Sequence, residues 1–403
     1  MGRNVLGLWF CLSLAFISTC VHGDLEPQPD TQALNRMNSD FSFRLYKSIA
    51  SGARSENVFF SPLSVSMALA ALSLGAGGET HHQLLSGLGL NSSVFTCEEM
   101  HQSFLDLLKN LNQNTEVNLE VGTAVYIHES FKPHPEFLQK MKRFYLSDGF
   151  SVDFTKTTET ADQMNAYVSE KTHGKISNFI KDLDPRTIMY LLSYIYFKGK
   201  WATQFDPKMT KKDVFHVDEE TNVPVEMMYM KDKFQGYYDR ELSAHALRLD
   251  YKDSFSMILV LPDKNLTAVE EALSLHHITR WNTWMQKREY NIYVPKLSLK
   301  TSYSLKNILI EMGMKDMFTP KANLTGISDQ NLFISEAVHE ATLDVDEAGA
   351  TAAAVTGISF MPLSFHFTET LKFNRPFIIF ITDQITKNIL FMGKIVNPEY
   401  SAA

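Results

Sequence analysis

Cysteine is scarce in this chain, with three among 403 residues. Cys11 and Cys20 fall in the first 23 residues, which leaves Cys97 alone in the remainder. A single thiol forms no intrachain disulfide, so stability must come from a large apolar core. Membrane-length hydrophobic runs are also missing: Val5 to Ile17 is too short to span a bilayer, and nothing later could. There is no basic excess. Lys and Arg number 38 against 46 Asp and Glu, a net charge of −8, which argues against nucleic acid or anionic membrane as partners. No Pro/Gly/Ser linker, charge block or internal repeat divides the chain, so a single large domain is expected over residues 24–403.

Catalytic signatures are absent as well. The chain has no G-x-S-x-G elbow, no H-E-x-x-H, no Walker loop and no paired-cysteine motif. Gly75 to Gly78, reading G-A-G-G, is expected to end a helix, which is the wrong context for a phosphate cradle. His81-His82 and His276-His277 have no third ligand nearby in sequence, so no metal is expected. Asp344, Asp346 and Glu347 form the one carboxylate cluster, read as solvated or salt-bridged charges at a strand end. Neither an enzyme nor a cofactor is implied.

What the chain does have begins with a leader. Arg3 precedes the apolar run, and Val21 and Gly23 stand just before a polar stretch opening at Asp24. Residues 1–23 therefore read as a secretory signal peptide. Its removal takes away Arg3 alone among the charges, leaving 37 basic against 46 acidic residues, or −9. The expected product is a secreted, extracellular protein. N-glycosylation sequons begin at Asn91, Asn265 and Asn323, each near turn-like residues.

Apolar residues recur at helical spacing over Asn38 to Ile49, Thr80 to Leu88 and Glu98 to Leu111. Ser61-Pro62 ahead of a small-residue run is a cap and first-turn proline for a buried helix. Further helices are expected near His134 to Arg143 and Glu159 to Thr172. Ile188 to Phe197 and Phe255 to Leu261 are nearly continuous apolar runs, as expected of strands buried on both faces. Helices and strands mix without regular alternation, which predicts an α+β fold with mostly antiparallel sheets.

Between the strand-like runs Phe333 to Asp346 and Phe377 to Thr382 lies a long segment of small residues, E-A-G-A-T-A-A-A-V-T-G-I-S-F-M-P-L-S from Glu347 to Ser364. Long connections without structure of their own are usually functional. Ala350, Ala352, Ala354 and Thr356 would share one strand face, all small and uncharged, and Gly349 gives a backbone pivot. Such a segment could become a strand in the middle of a sheet. The same composition also suits an Ala-rich surface loop or a helix.

Eight short stretches then carry a family resemblance: N-V-F-F-S-P-L-S (Asn57 to Ser64), N-A-Y-V-S-E-K-T-H-G-K-I (Asn165 to Ile176), Y-I-Y-F-K-G-K-W (Tyr194 to Trp201), F-H-V-D (Phe215 to Asp218), V-P-K-L-S (Val294 to Ser298), A-V-H-E-A-T-L-D-V-D-E-A-G-A-T-A-A-A (Ala337 to Ala354), F-N-R-P-F (Phe373 to Phe377) and F-M-G-K-I-V-N-P (Phe391 to Pro398). With them, in that order, the chain resembles the serpins along its whole mature length, and is similar to the alpha-1-antitrypsin branch. The resemblance implies a serpin fold with an exposed reactive loop over about residues 347–370. It implies a monomer that traps serine proteases as covalent acyl-enzymes when the cleaved loop inserts into the central sheet. The family's spacing from Glu347 places the reactive bond at Leu363-Ser364, with Met361 and Pro362 as its flank. The inserting strand would then run from Gly349 to Met361, about 13 residues or roughly 44 Å.

By the same matching, Trp201, Lys296 and Glu347 stand at the breach where the loop enters. Ser61, Ser64 and His339 match the polar shutter under the opening strands. Ser193 replaces the family's usual Asn, and its shorter side chain leaves open whether it meets His339 directly or through a bridging water. Leu363 suits chymotrypsin-like or elastase-like pockets and not an Asp-lined trypsin pocket. Heparin is not expected as a cofactor, because Glu98 to Leu111 carries Lys109 as its lone basic residue. A non-inhibitory carrier of a small hydrophobic hormone is the alternative, disfavoured by the small hinge residues.

Overall fold

The computed structural model describes residues 29–90, 95–113, 117–348 and 368–398. Its helices are α1 Pro29–Gly52, α2 Pro62–Ser73, α3 Gly78–Leu88, α4 Cys97–Leu111, α5 Pro135–Tyr145, α6 Thr157–Lys171, α7 Leu266–Ala272, α8 Leu275–Trp284 and α9 Lys306–Glu311. The strands are β1 Val58–Phe60, β2 Val117–His128, β3 Asp148–Val152, β4 Met189–Gly199, β5 Lys211–His216, β6 Asn222–Asp239 and β7 Ala244–Asp250. Then follow β8 Phe255–Pro262, β9 Gln286–Pro295, β10 Leu297–Ser304, β11 Glu336–Val345, β12 Glu369–Lys372, β13 Phe377–Asp383 and β14 Ile389–Ile395. The fold is α+β. None of the described helices is long and apolar enough to cross a membrane.

The strands form two sheets. One has five strands in the order β10-β11-β4-β2-β3; the other has nine, β1-β14-β13-β8-β7-β6-β9-β12, with β5 beside β6. Pairing is mostly antiparallel. Parallel pairs among the described residues are β11·β4, β2·β3 and β12·β9. The continuous apolar runs predicted as strands do fold so: all of β8 is buried, and β4 is buried but for Lys198.

Helix α2 shows how local sequence sets the architecture. Ser61 Oγ accepts from the N–H of Ser64 at 3.1 Å, and Pro62 opens the first turn. All twelve of its residues are buried, and it touches β14 of one sheet and β4 and β2 of the other. Small Ser and Ala side chains let the helix pass that closely between two sheets. The glycines from Gly75 to Gly78 do more than end this helix. α2 closes at Leu74, and Gly77 is the N-cap of α3, so they form a turn between two helices.

One continuous apolar cluster runs from α1 through α2 to β13 and β14. A second, smaller cluster lies on the outer face of the five-stranded sheet. There Ala161, Met164 and Val168 of α6 pack with Tyr126, Tyr190, Leu192 and Tyr194.

Candidate functional site

The five-stranded sheet carries a polar row across its inner face. Register places Thr123 (β2), Ser193 (β4), His339 (β11) and Tyr303 (β10) side by side. His339 is fully buried, as are Ser61 and Ser64 beneath it. The N–H of Ser61 donates to His339 Nε2 at 2.9 Å, so that nitrogen has no proton of its own. In a neutral ring the proton then sits on Nδ1, which lies 2.9 Å from Ser193 Oγ and donates to it. Burial lowers the His339 pKa to about 3, which keeps the ring neutral. Ser64 Oγ donates to the carbonyl of Tyr194 at 3.3 Å, and Tyr303 Oη accepts from the N–H of Phe59 at 3.1 Å.

Of the two arrangements left open for Ser193 and His339, the structure has the direct one. The bond is direct, because parallel register sets the two residues opposite each other on adjacent strands and a one-carbon side chain reaches. Thr123 and Tyr303 were not anticipated; strand register is what brings them into the row.

At the end of β11 the chain from Asp346 to Ala348 is held by the segment after β4. Trp201 Nε1 donates to the Asp346 carbonyl at 2.8 Å, and the Phe205 N–H donates to that of Glu347 at 2.9 Å. Ala348 O accepts from the Trp201 N–H and from Gln204 Nε2, both at 3.4 Å. Trp201 is itself 2 % exposed, stacked on Tyr251 with centroids 4.2 Å apart. It is therefore both a core side chain and a hydrogen-bond donor to the strand end.

The Glu347 carboxylate is gripped on both oxygens. Thr210 Oγ1 donates to Oε1 at 2.8 Å, and Lys296 Nζ lies 3.2 Å from Oε2. Lys296 also pairs with Glu226 at 3.4 Å. Burial alone would raise the Glu347 pKa, but hydrogen bonds from the backbone, Thr210 and Lys296 hold it below its ordinary value. For Lys296, burial pulls downward, and the two carboxylates outweigh it and raise the ammonium's pKa. This is more than the isolated ion pair that sequence suggested. Thr210, Gln204, Phe205 and Glu226 belong to it and carried no motif of their own.

Among the described residues Asp344 and Asp346 make hydrogen bonds and no salt bridge: Ser298 Oγ donates to Asp344 Oδ1 at 2.7 Å, and the Ala348 N–H to Asp346 Oδ1 at 3.1 Å. No group of three His, Cys, Asp or Glu among the described residues could hold a metal. Asn265 is exposed and caps α7, its Oδ1 accepting from the Thr267 N–H at 2.9 Å. Asn323 is half-buried, with a hydrogen bond from Thr325 Oγ1 at 2.8 Å. Asn91, Gly349, Ala350, Ala352, Ala354, Thr356, Met361, Pro362, Leu363 and Ser364 lie outside the described residues.

Comparison with known proteins gives concordant results. The family model described as Serpin (serine protease inhibitor) matches residues 36–398. Alpha-1-antiproteinase 2 of Equus caballus is 40% identical over 363 residues, covering 89% of this chain and 86% of the relative. The plasma serine protease inhibitor of Homo sapiens is also 40% identical, covering 89% of each chain. Among solved structures, human thyroxine-binding globulin with bound ligand superposes with a TM-score of 0.87 at 34% identity, covering 92% of this chain and 100% of that one. Human kallistatin gives 0.85 at 35% identity, covering 92% and 99%.

Proposed function

The chain belongs to the serpin family, and from that membership we propose that it is a secreted suicide-substrate inhibitor of serine proteases. Serpins are protease inhibitors and not catalytic enzymes, and relatives that match this chain carry inhibitor names. In this reading residues 1–23 are removed as a signal peptide and residues 24–403 act as one serpin domain and as a monomer, with Asn265 the best-exposed described sequon. A protease attacks Leu363-Ser364 in the loop. Leu363 stays esterified to the protease serine while Ser364 becomes a new N-terminus. The freed loop then enters the five-stranded sheet and carries the acyl-enzyme with it.

The observation that carries the proposal is the parallel β11·β4 pair, with the hinge clamped at its end. A chain that leaves β11 at Val345, turns back and enters between β11 and β4 runs antiparallel to both neighbours. It would replace one parallel ladder by two antiparallel ones, the better-bonded arrangement. The contacts of Trp201, Phe205, Thr210 and Lys296 with Asp346, Glu347 and Ala348 support a turn starting there. The shutter bonds among Ser61, Ser64, Ser193 and His339 lie beneath the seam that must part.

A carrier role has one observation in its favour, the likeness to a thyroxine-binding protein. A surface depression of about 410 Å³ beside Phe43, Arg44 and Leu275 is large enough for a small ligand, but Arg44 already donates to the Gly87 carbonyl at 2.8 Å. The two readings separate in one experiment. Mixing the protein with chymotrypsin-like and elastase-like proteases should give an SDS-stable complex and a released peptide beginning at Ser364. Cleavage without any complex, together with saturable thyroxine binding, would favour the carrier.

A further inference from the structure

Directly behind His339, on the outer face of the same strand, lies Glu340. Its row across the sheet is Ser302 (β10), Glu340 (β11), Tyr194 (β4) and Gly122 (β2). Glu340 is fully buried, and neither carboxylate oxygen has a hydrogen-bond partner. Lys300 Nζ forms a long ion pair with Oε1 at 3.6 Å, while its close hydrogen bond goes to the Ser177 carbonyl at 2.9 Å. Ser177 belongs to the segment between α6 and β4. A buried charge without a close hydrogen bond is costly in the closed sheet and is relieved wherever water reaches it.

We propose that Glu340 makes the parting of β11 from β4 depend on pH, with the closed sheet favoured when the carboxyl is protonated and the open one when it is ionised. The groups that face it are Lys300 and Ser302 from β10, Tyr194 and Tyr190 from β4, Lys181 from the α6–β4 segment, and Glu336 on its own strand. Burial raises the Glu340 pKa from 4.5 to about 7, outweighing the downward pull of Lys300, Ser302 and Lys181. The sign follows from linkage. A carboxyl whose closed-state pKa is raised stabilises the closed state at low pH and loses that effect as pH rises from about 4.5 to about 7. His339 acts in the opposite sense at lower pH, since its neutral form is the one the closed sheet holds.

The sheet-opening effect stands without any protease. Its consequence, faster loop insertion at mildly alkaline than at mildly acidic pH, rests on the inhibitor reading. The test is hydrogen exchange of the β4 and β11 amides in the intact protein at pH 6 and pH 8, corrected for intrinsic rates, in wild type and Glu340→Gln. The His339 contribution cancels in the ratio of the two proteins. That ratio of opening should rise about tenfold between pH 6 and pH 8, as expected for one group moving between about 4.5 and about 7. Lys300→Met is the second variant and should shift the same rise to higher pH. Equal pH dependence in wild type and Glu340→Gln, or an unmoved profile in Lys300→Met, would overturn the proposal. Failure to trap a protease would count against the inhibitor reading and leave this one standing.

Discussion

At the scale of single residues, reach and burial decide what each group does. Ser193 holds His339 because the strands put them opposite each other, and the tautomer of His339 follows from the Ser61 N–H that its Nε2 accepts. Neither could be read from the sequence, where Ser193 is only a departure from a motif. Sequence did locate Lys296 and Glu347 and the Ser61 cap, because their chemistry is local or carried by a recognisable stretch. It missed Thr210 and Phe205, which lie on a segment without periodicity and meet Glu347 only after the chain has closed. In the proposed mechanism, specificity is also a single-residue property, that of Leu363. Leu363→Arg gives an Asp-lined pocket a charge partner in place of an apolar group. Association with trypsin-like proteases should rise by at least about a hundredfold and fall comparably for chymotrypsin-like ones. Inhibition kinetics against one enzyme of each class would check this; unchanged preference would mean the reactive bond is elsewhere.

Elements add what residues cannot, namely direction. α2, β4 and β8 were legible because composition and cap coincide with burial on every side. The parallel pairing of β11 with β4 was not legible, since nothing in either strand marks which neighbour it takes across almost 150 residues of chain. Yet that pairing is what would let a strand turned back from β11 run antiparallel to both once they part. The hinge should therefore have two unequal faces. Ala352→Arg would bring an unpaired charge into the sheet interior at a cost of several kcal/mol, slowing insertion while deacylation continues. The stable complex should drop to less than about a tenth of wild type. Thr351→Arg, on the opposite face, keeps its solvent and should stay within about twofold. Titration of active protease with each variant, followed by denaturing gels, reads the partition between trapped and released enzyme. Equal loss in both would mean that the inward face had been misassigned.

For the whole molecule, the two sheets share α2 and one continuous core, and the connection from Ala348 to Thr368 runs from the five-stranded sheet to β12 of the other. In this structure the seam between β11 and β4 is closed over the His339 row and, on its other side, over the buried Glu340 carboxyl. In the proposed mechanism, cutting the connection at Leu363-Ser364 frees its N-terminal part to fill the seam. The central claim is that this filling happens and provides the work of inhibition. The most direct measurement compares the melting temperature of the intact protein with that of the same protein cleaved at Leu363-Ser364. The account predicts a rise of at least several degrees on cleavage, since at this size each kcal/mol of added stability is worth roughly 1–1.5 °C and a completed central strand adds many contacts at once. A cleaved protein that melts with the intact one would contradict it.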